Sequence, residues 1–406
     1  MEERARVMLL LSSLHGGGAE RVAVHLLNNC DPDLVDVRMG LLRRAGPFLA
    51  DADASRIDTP AMGEDLLAFE GRNSSFYRPD RLLAGAIFAP AALAGMIKAR
   101  RPHVVVSFLK GVSVLTGFVV GGMGARRPRW IAREGNNTDA VIDEELANPA
   151  ARAMIKGLTR RCYRAADCFL ANSNEMADGL TRDLGLDSTR VRMIHNPIDI
   201  AGVKAKAALA PDGPIPSRPF IVAVGRLEYQ KAHDMLLRAF AASRASNDHD
   251  LVIVGRGTAE DELRRQACEL GLAERVHFVG FTDNPWAWVR RAKLFVLTSR
   301  WEGFPTSVAE ALACGTPALV TACDFGPAEV VEHGINGWVT PTEDQPAFTA
   351  AMDMLLETPQ LLERFACEGP RRAANFGLAS MVGQYTDLFL EQTALQRQVT
   401  GERVRA

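Results

Sequence analysis

Short apolar runs alternate with stretches of helical period along the whole chain. Residues 7–14 are an apolar run of strand length. The glycine loop His15-Gly16-Gly17-Gly18-Ala19-Glu20-Arg21 follows, and an apolar-periodic helix runs on to about residue 28. Residues 35–42, 104–108 and 130–133 read as strands, and 79–100 reads as a helix with a break at Pro90. A helix over 150–166, a strand at 167–171, a helix at 175–184 and a strand at 191–195 complete the set. Strand-helix alternation of this kind predicts an α/β domain with a mostly parallel sheet.

The pattern then restarts. Residues 203–218 carry three prolines and few bulky side chains, which predicts a loop or linker. Strands are expected at 220–225, 250–255, 276–280, 294–299, 316–321 and 337–339. Helices are expected at 231–243, 259–270, 284–291, 305–313 and from about 344 to 395. Two α/β domains of similar size, 1–200 and 201–380, are therefore expected, with a ligand cleft between them and a terminal segment 381–406.

Charge and cysteine content narrow the function classes. A formal net charge of −2, from 47 basic and 49 acidic residues, gives no reason to expect nucleic-acid binding. Residues 90–195 nevertheless hold 16 basic against 10 acidic residues. The seven cysteines are scattered and form no CxxC pair, which suits a reducing, cytoplasmic setting and argues against a zinc site. The apolar start carries two early glutamates and runs straight into the glycine loop, so it reads as a first strand rather than a signal peptide. The longest uncharged run, residues 82–97, is too short to span a bilayer and contains Pro90.

The densest chemistry lies in Ser299-Arg300-Trp301-Glu302-Gly303-Phe304-Pro305-Thr306-Ser307-Val308-Ala309-Glu310. A strand ends, a tight turn follows and a helix begins, so free N–H groups and a positive dipole end face an anion such as a diphosphate. Glu302 and Glu310, with seven residues between them, supply acceptors for sugar or ribose hydroxyls. A capped core helix would show the same glutamate. In Gly225-Arg226-Leu227-Glu228-Tyr229-Gln230-Lys231 two cations flank the turn after the second domain's first strand. They suit a leaving diphosphate; a solvated basic turn is the plainer reading. Neither glycine loop is a dinucleotide fingerprint, since GxGxxG from Gly16 meets Arg21 and from Gly255 meets Glu260.

Together GGGAER, GRLxxQK, the E-x7-E segment and Val191-Arg192-Met193-Ile194-His195-Asn196-Pro197 resemble the family-4 type of retaining glycosyltransferases, over roughly residues 5–395. The resemblance implies a GT-B architecture of two Rossmann-like domains, with the last helix crossing back to the first. It implies that Arg226 and Lys231 bind the donor diphosphate and that Glu310 binds the ribose. Glu302, Gly303, Phe304, Thr306 and Ser307 would hold the sugar and phosphate, Phe281 would lie by the base, and Gly17 and Gly18 would face the donor from the first domain. On this resemblance Arg226, Lys231 and Glu302 would carry the catalytic roles. Where many members have a histidine, this chain has Arg133-Glu134-Gly135-Asn136, similar to the subgroup that extends polyprenyl-diphosphate-linked glycans or builds surface polysaccharide. Arg133, Glu134 and Asn136 are thus acceptor-side candidates.

The expected reaction moves a hexose-type sugar from a nucleotide-diphosphate donor, a UDP-sugar favoured, to a glycan or lipid-linked acceptor. No cofactor and no metal are expected. The Asp-x-Asp triplets at 31–33, 51–53 and 248–250 read as loop residues, and the sequons at Asn73 and Asn136 as chance matches. Arg152, Lys156, Arg160 and Arg164 form one helical stripe, either a solvated face or a contact to anionic headgroups at the inner face of a membrane. Trp286 and Trp288 read as helix packing. Rival readings are a nucleotide-sugar epimerase, a phosphorylase, and a non-catalytic glycan-binding scaffold.

Overall fold

The structure, a computed structural model, describes residues 4–15, 17–60, 79–125, 127–136 and 138–401, without the side chains of 79–87, 138, 145 and 183. Gly16, the Asn73 sequon, Asn137 and the side chains of the first part of the 82–97 run lie outside the described residues. The chain divides into two compact units. Unit 1 takes the residues through Asn172, then Met176–Pro197 and the chain from Ala379 on. Unit 2 takes Ile198–Leu378 with Ser173–Glu175.

Unit 1 is built on seven parallel strands: β1 (Ala5–Leu11), β2 (Val35–Leu41), β3 (Ile57–Asp58), β4 (Val104–Phe108), β5 (Arg129–Arg133), β6 (Cys168–Ala171) and β7 (Val191–Met193), in the order β3-β2-β1-β4-β5-β6-β7. Its helices are α1 (Gly18–Asn29), α2 (Pro79–Arg100), α3 (Lys110–Gly121), α4 (Thr138–Glu145), α5 (Pro149–Tyr163) and α6 (Asn174–Leu184). Helix α2 runs unbroken through Pro90, against the expected break. Helix α3 was not foreseen, because its glycines and β-branched residues disfavour a helix. Burial of Val112, Leu115, Val119 and Val120 outweighs that preference.

Unit 2 repeats the winding. Its helices begin with α7 (Ile200–Ala207), which occupies the start of the expected linker; Asp199 caps it by accepting from the Gly202 N–H at 2.9 Å. The strands β8 (Phe220–Val224), β9 (Asp250–Val254), β10 (Val276–Gly280), β11 (Leu294–Leu297), β12 (Ala318–Thr321) and β13 (Gly337–Thr340) lie in the order β10-β9-β8-β11-β12-β13, all parallel. The other helices are α8 (His233–Ala242), α9 (Glu260–Glu269), α10 (Trp286–Val289), α11 (Thr306–Ala313), α12 (Pro327–Val330), α13 (Gln345–Leu356) and α14 (Pro359–Ala374). Alternate residues of each strand feed two cores. Phe220, Val222 and Val252 enter one, and Ile221, Ala223 and Leu251 the other. Trp286 and Trp288 are buried in the first, as packing residues.

The last helix, α15 (Leu378–Thr400), belongs to unit 1 from Ala379 onward. Its Tyr385, Phe389 and Gln392 are buried there, and Gln392 Oε1 accepts from Arg129 Nε at 2.7 Å. The GT-B expectation of two Rossmann-like units with a returning helix agrees with this architecture.

Candidate active site

In an open parallel sheet the loops at the carboxyl ends separate where the strand order reverses, which opens a crevice for a ligand. In unit 2 that point falls between β8 and β11, which pair at Leu294 with Ile221 and Phe295 with Val222. The turn after β8 carries Arg226 and Lys231, and the turn after β11 carries Glu302. The fold therefore brings the two sequence signals to one place.

Lys231 Nζ donates to Glu302 Oε1 in a close ion pair, with both side chains largely buried. Ser299 Oγ donates to the same carboxylate oxygen at 2.6 Å. Arg226 is exposed, and its Nη2 donates to Gln230 Oε1 at 3.2 Å. Gln230 is buried and connects the two turns: its Nε2 donates to the Trp301 carbonyl at 2.8 Å, and its carbonyl accepts from the Arg300 N–H at 2.8 Å. Neither Gln230 nor Ser299 stood out in the sequence. The only signal for Gln230 was its place in GRLxxQK.

Helix α11 starts one residue after Pro305, and no side chain caps it. Thr306 and Ser307 form its first turn, and Glu310 is buried one turn in. Gly326, at φ +99°, lets the chain approach the Gly303 carbonyl, where a Cβ would come within 2.7 Å. Phe304 is buried edge-on to Phe376, with ring centroids 5.1 Å apart. Gly255 and Gly257 also find their reason here. Their loop lies backbone to backbone on the cationic turn, and Cβ atoms would come within 1.9 Å of the Gly225 carbonyl oxygen and 2.2 Å of the Leu227 carbonyl oxygen. Phe281 follows β10 and is exposed.

Two titratable groups next to this cluster stay neutral. His233 is fully enclosed, and burial, reinforced by the Lys231 charge, lowers its pKa to about 4. Burial, with Glu302 nearby, pushes the Cys323 thiol far up, so it is no nucleophile at neutral pH.

Unit 1 places its candidates differently. Gly17 is the N-cap of α1 and Gly18 its first residue. The Glu20 carboxylate lies over Gly17, where a Cβ would meet Oε2 at 2.5 Å. The open space at Gly17 is thus used by a carboxylate of the same helix. Arg133, the last residue of β5, is only 1% exposed. Its Nε donates to Tyr385 Oη at 2.9 Å and its Nη2 to Asn196 Oδ1 at 2.5 Å, while Cζ sits 5.1 Å from the centre of the Phe108 ring. Nη1 is buried with no hydrogen-bond partner among the described residues. Glu134 is buried and accepts a short bond from Tyr163 Oη, and burial, with that carboxylate, raises the Tyr163 pKa. Asn136 lies in the loop before α4, half-buried.

The Asp-x-Asp triplets are engaged in structure. Asp31 and Asp53 each accept a backbone N–H two residues on, from Asp33 and Ser55. Asp250 is not a loop residue of its triplet but opens β9, where the strand at 250–255 was expected, and binds Arg275 at 2.8 Å and His277 at 3.0 Å. Among the described residues no group of three or more His, Cys, Asp or Glu is placed to hold a metal.

Two doubly wound parallel sheets, one bearing a cationic turn and a glutamate loop at its switch point, define a protein of the GT-B class. A family model described as "Glycosyl transferase 4-like domain" matches residues 17–197, and one described as "Glycosyl transferases group 1" matches residues 208–372. The chain belongs to the family-4 type glycosyltransferases. It is 29% identical over 261 residues to the Campylobacter jejuni N-acetylgalactosamine-N,N'-diacetylbacillosaminyl-diphospho-undecaprenol 4-alpha-N-acetylgalactosaminyltransferase, covering 62% of this chain and 70% of that one. It is 32% identical over 240 residues to D-inositol 3-phosphate glycosyltransferase 2 of Catenulispora acidiphila, a match that spans 55% of this chain and little more than half, 56%, of that protein. Among solved structures it resembles Anabaena HepE in complex with UDP, at TM-score 0.72 and 19% identity, over 95% of this chain and 99% of that one. It also resembles sucrose-phosphate synthase of Thermosynechococcus elongatus, at TM-score 0.73 and 20% identity, over 97% and 100%. At such identities these structures speak for the fold.

Proposed function

We propose that this protein is a metal-independent, retaining glycosyltransferase that moves a hexose-type sugar from a UDP-sugar to a glycan carried on a lipid diphosphate. The observation that carries the reading is the meeting of Arg226, Lys231 and Glu302 at the β8/β11 switch point, beside the uncapped start of α11. Support for the donor comes from UDP in the HepE complex, and for the acceptor from the diphospho-undecaprenol in the Campylobacter enzyme's name.

In this mechanism the bond between the sugar's anomeric carbon and the diphosphate oxygen breaks as the acceptor hydroxyl attacks from the same face. The hydroxyl proton passes to the departing phosphate oxygen. Arg226, Lys231 and the Ser307 N–H in the first turn of α11 stabilise the charge left on the diphosphate, while the Thr306 N–H is held by the Phe304 carbonyl at 2.8 Å. Lys231 is held by Glu302 until the donor arrives, and Glu302 then has an oxygen for a sugar hydroxyl. Glu310 takes the ribose hydroxyls and Phe281 lies beside the base. Arg133, Glu134 and Asn136 are the acceptor-side residues, and of these only Asn136 is more than marginally exposed.

The test is UDP release from a panel of UDP-sugars, with and without a short-chain prenyl-diphosphate glycan, followed by NMR of the product's anomeric centre. Acceptor-dependent release with the donor's anomeric configuration kept is the expected result. Sugar interconversion without acceptor would favour the epimerase, and inversion would refute the retaining step.

A further inference from the structure

The basic stripe on α5 is not the surface that the four-residue spacing suggested. Arg152, Lys156 and Arg160 face α4. Lys156 Nζ lies 2.9 Å from Asp143 and 3.7 Å from Asp139, Arg160 lies 3.6 Å from Asp139, and Arg152 lies 3.9 Å from Asp143. These three cations share two carboxylates of unit 1, which offset most of their attraction for a distant anionic surface.

A different side of α5 is open. Met154 is 66% exposed and Leu158 44%, and Arg161 follows at the next three-residue step on the same side. Arg164 ends the helix, also exposed. Neither Arg161 nor Arg164 has a carboxylate within ion-pair distance among the described residues. Helix α3 packs alongside: a Cβ on Gly117 would come 2.7 Å from the Cys162 carbonyl oxygen, and one on Gly121 would lie 3.8 Å from Ala165 Cβ. Phe118, between those two glycines, flanks the contact and is 68% exposed. Neither α3 nor α5 contains an acidic residue.

Three large apolar side chains left in solvent on two adjoining helices call for a cover. Unpaired arginines beside them, with no acid on either helix, favour an anionic one. No helix among the described residues is long and apolar enough to cross a membrane. We infer that the α3/α5 face of unit 1 docks on an anionic lipid surface, with Phe118, Met154 and Leu158 entering the headgroup boundary and Arg161 and Arg164 binding lipid phosphates. The inference deepens the proposed function, because a lipid-linked acceptor has to be met at the bilayer surface.

The test is co-sedimentation of the full-length chain with phosphatidylcholine vesicles, with and without phosphatidylglycerol. Binding should require phosphatidylglycerol and weaken as salt is raised, since such attraction is screened beyond about 8–10 Å. Replacing Arg161 and Arg164 by Glu, or Phe118, Met154 and Leu158 by Ser, should each lower vesicle affinity by at least roughly tenfold. Arg152→Gln, on the paired side, should leave it within about twofold. UDP release with a water-soluble acceptor should be unchanged in all of these variants, which separates loss of docking from loss of catalysis. The inference is overturned if wild type ignores phosphatidylglycerol at low salt or if the Arg161/Arg164 variant binds as wild type does. It is equally overturned if gel filtration shows a dimer that the Phe118, Met154 and Leu158 substitutions dissociate, since a second copy would then be the cover.

Discussion

Units 1 and 2 wind their sheets in the same order, yet they use the carboxyl edge differently. In unit 2 the first helix after the glutamate loop, α11, starts without a side-chain cap, and the adjacent cations are held by groups a substrate can replace. In unit 1 the glycine-loop helix α1 likewise starts without a side-chain cap, but its own Glu20 carboxylate lies over Gly17, and the end of β5 is filled by Arg133 bound to Tyr385 and Asn196. One edge keeps charge available, whereas the other spends much of it on holding the unit together. The same topology thus supports a reactive edge and a structural one, and the side chains after each strand decide which.

Substitutions should separate the two. Lys231→Ala should cut kcat by roughly a hundredfold or more, because a contact to a developing diphosphate charge is worth about 3 kcal/mol. Its melting temperature should fall too, because Glu302 loses the cation that balances it in a largely buried place, so turnover is compared well below both melts. Normal turnover in this variant would erase the contrast between the two edges. Arg133→Met should act on stability alone, removing the Arg133 donor from Tyr385 Oη and Asn196 Oδ1 in the interior. A loss of about 3 kcal/mol of stability is expected from denaturant melts, with the KM for the UDP-sugar unchanged. A raised donor KM with unchanged stability would place Arg133 among the donor groups instead.

These residues also mark how far the sequence could be read. Arg226, Lys231 and Glu302 could be singled out because each lies in a short segment with its own chemistry, and the fold brings those segments together, whereas the role of Glu310 rests on the family resemblance. Gln230 and Ser299 could not. Gln230 joins the Trp301 carbonyl 71 positions away, and a glutamine before a lysine looks like any solvent-facing pair. The α5 stripe could be read only in part for a related reason: periodicity tells which residues share a helix face, but not which neighbour, here α4 with Asp139 and Asp143, lies against it. Helix α3 and the helix in the expected linker were missed where burial and an Asp199 cap outweighed local preference. The alternation that defined the two sheets survived because buried parallel strands need continuous apolar runs.

Acid should reveal His233, which sits against the reactive edge. Its folded pKa of about 4 lies below the ordinary 6.5. Between those values the unfolded chain binds the proton and the folded one does not, so stability rises with pH across this window and is lost as pH falls from about 6.5 toward 4. The contribution approaches about 3 kcal/mol at the lower end, at about 1.36 kcal/mol per unit. Urea melts at pH 7 and pH 5 would measure it, and His233→Asn should flatten the difference. An unchanged slope would mean that His233 is not enclosed in solution.

A smaller effect is expected at Gln230, which holds the cationic turn to the glutamate loop without touching the reacting atoms. Gln230→Leu should raise the donor KM by roughly tenfold with a lesser fall in kcat, as for the loss of one or two buried hydrogen bonds. Gln230→Glu should restore the acceptor for Arg226 but not the donor to the Trp301 carbonyl, and should recover only part of the KM. Equal defects in both variants would show that the Arg226 contact contributes nothing.

Chelation should have the smallest effect. In the proposed mechanism the diphosphate charge is met by Arg226, Lys231 and the start of α11, so the edge of unit 2 needs no divalent ion to stabilise the leaving group. Four carboxylates able to recruit one are engaged elsewhere. Glu302 is bound by Lys231 and Ser299, and Asp250 by Arg275 and His277. Asp31 and Asp53 accept from the backbone of their own turns. Excess EDTA should therefore leave UDP release within about twofold of its untreated rate, and Lys231→Ala should not be rescued by added magnesium or manganese. If EDTA abolished turnover and either ion restored it, charge at this edge would be shared with a metal, and the assignment of leaving-group stabilisation to Arg226 and Lys231 alone would fall.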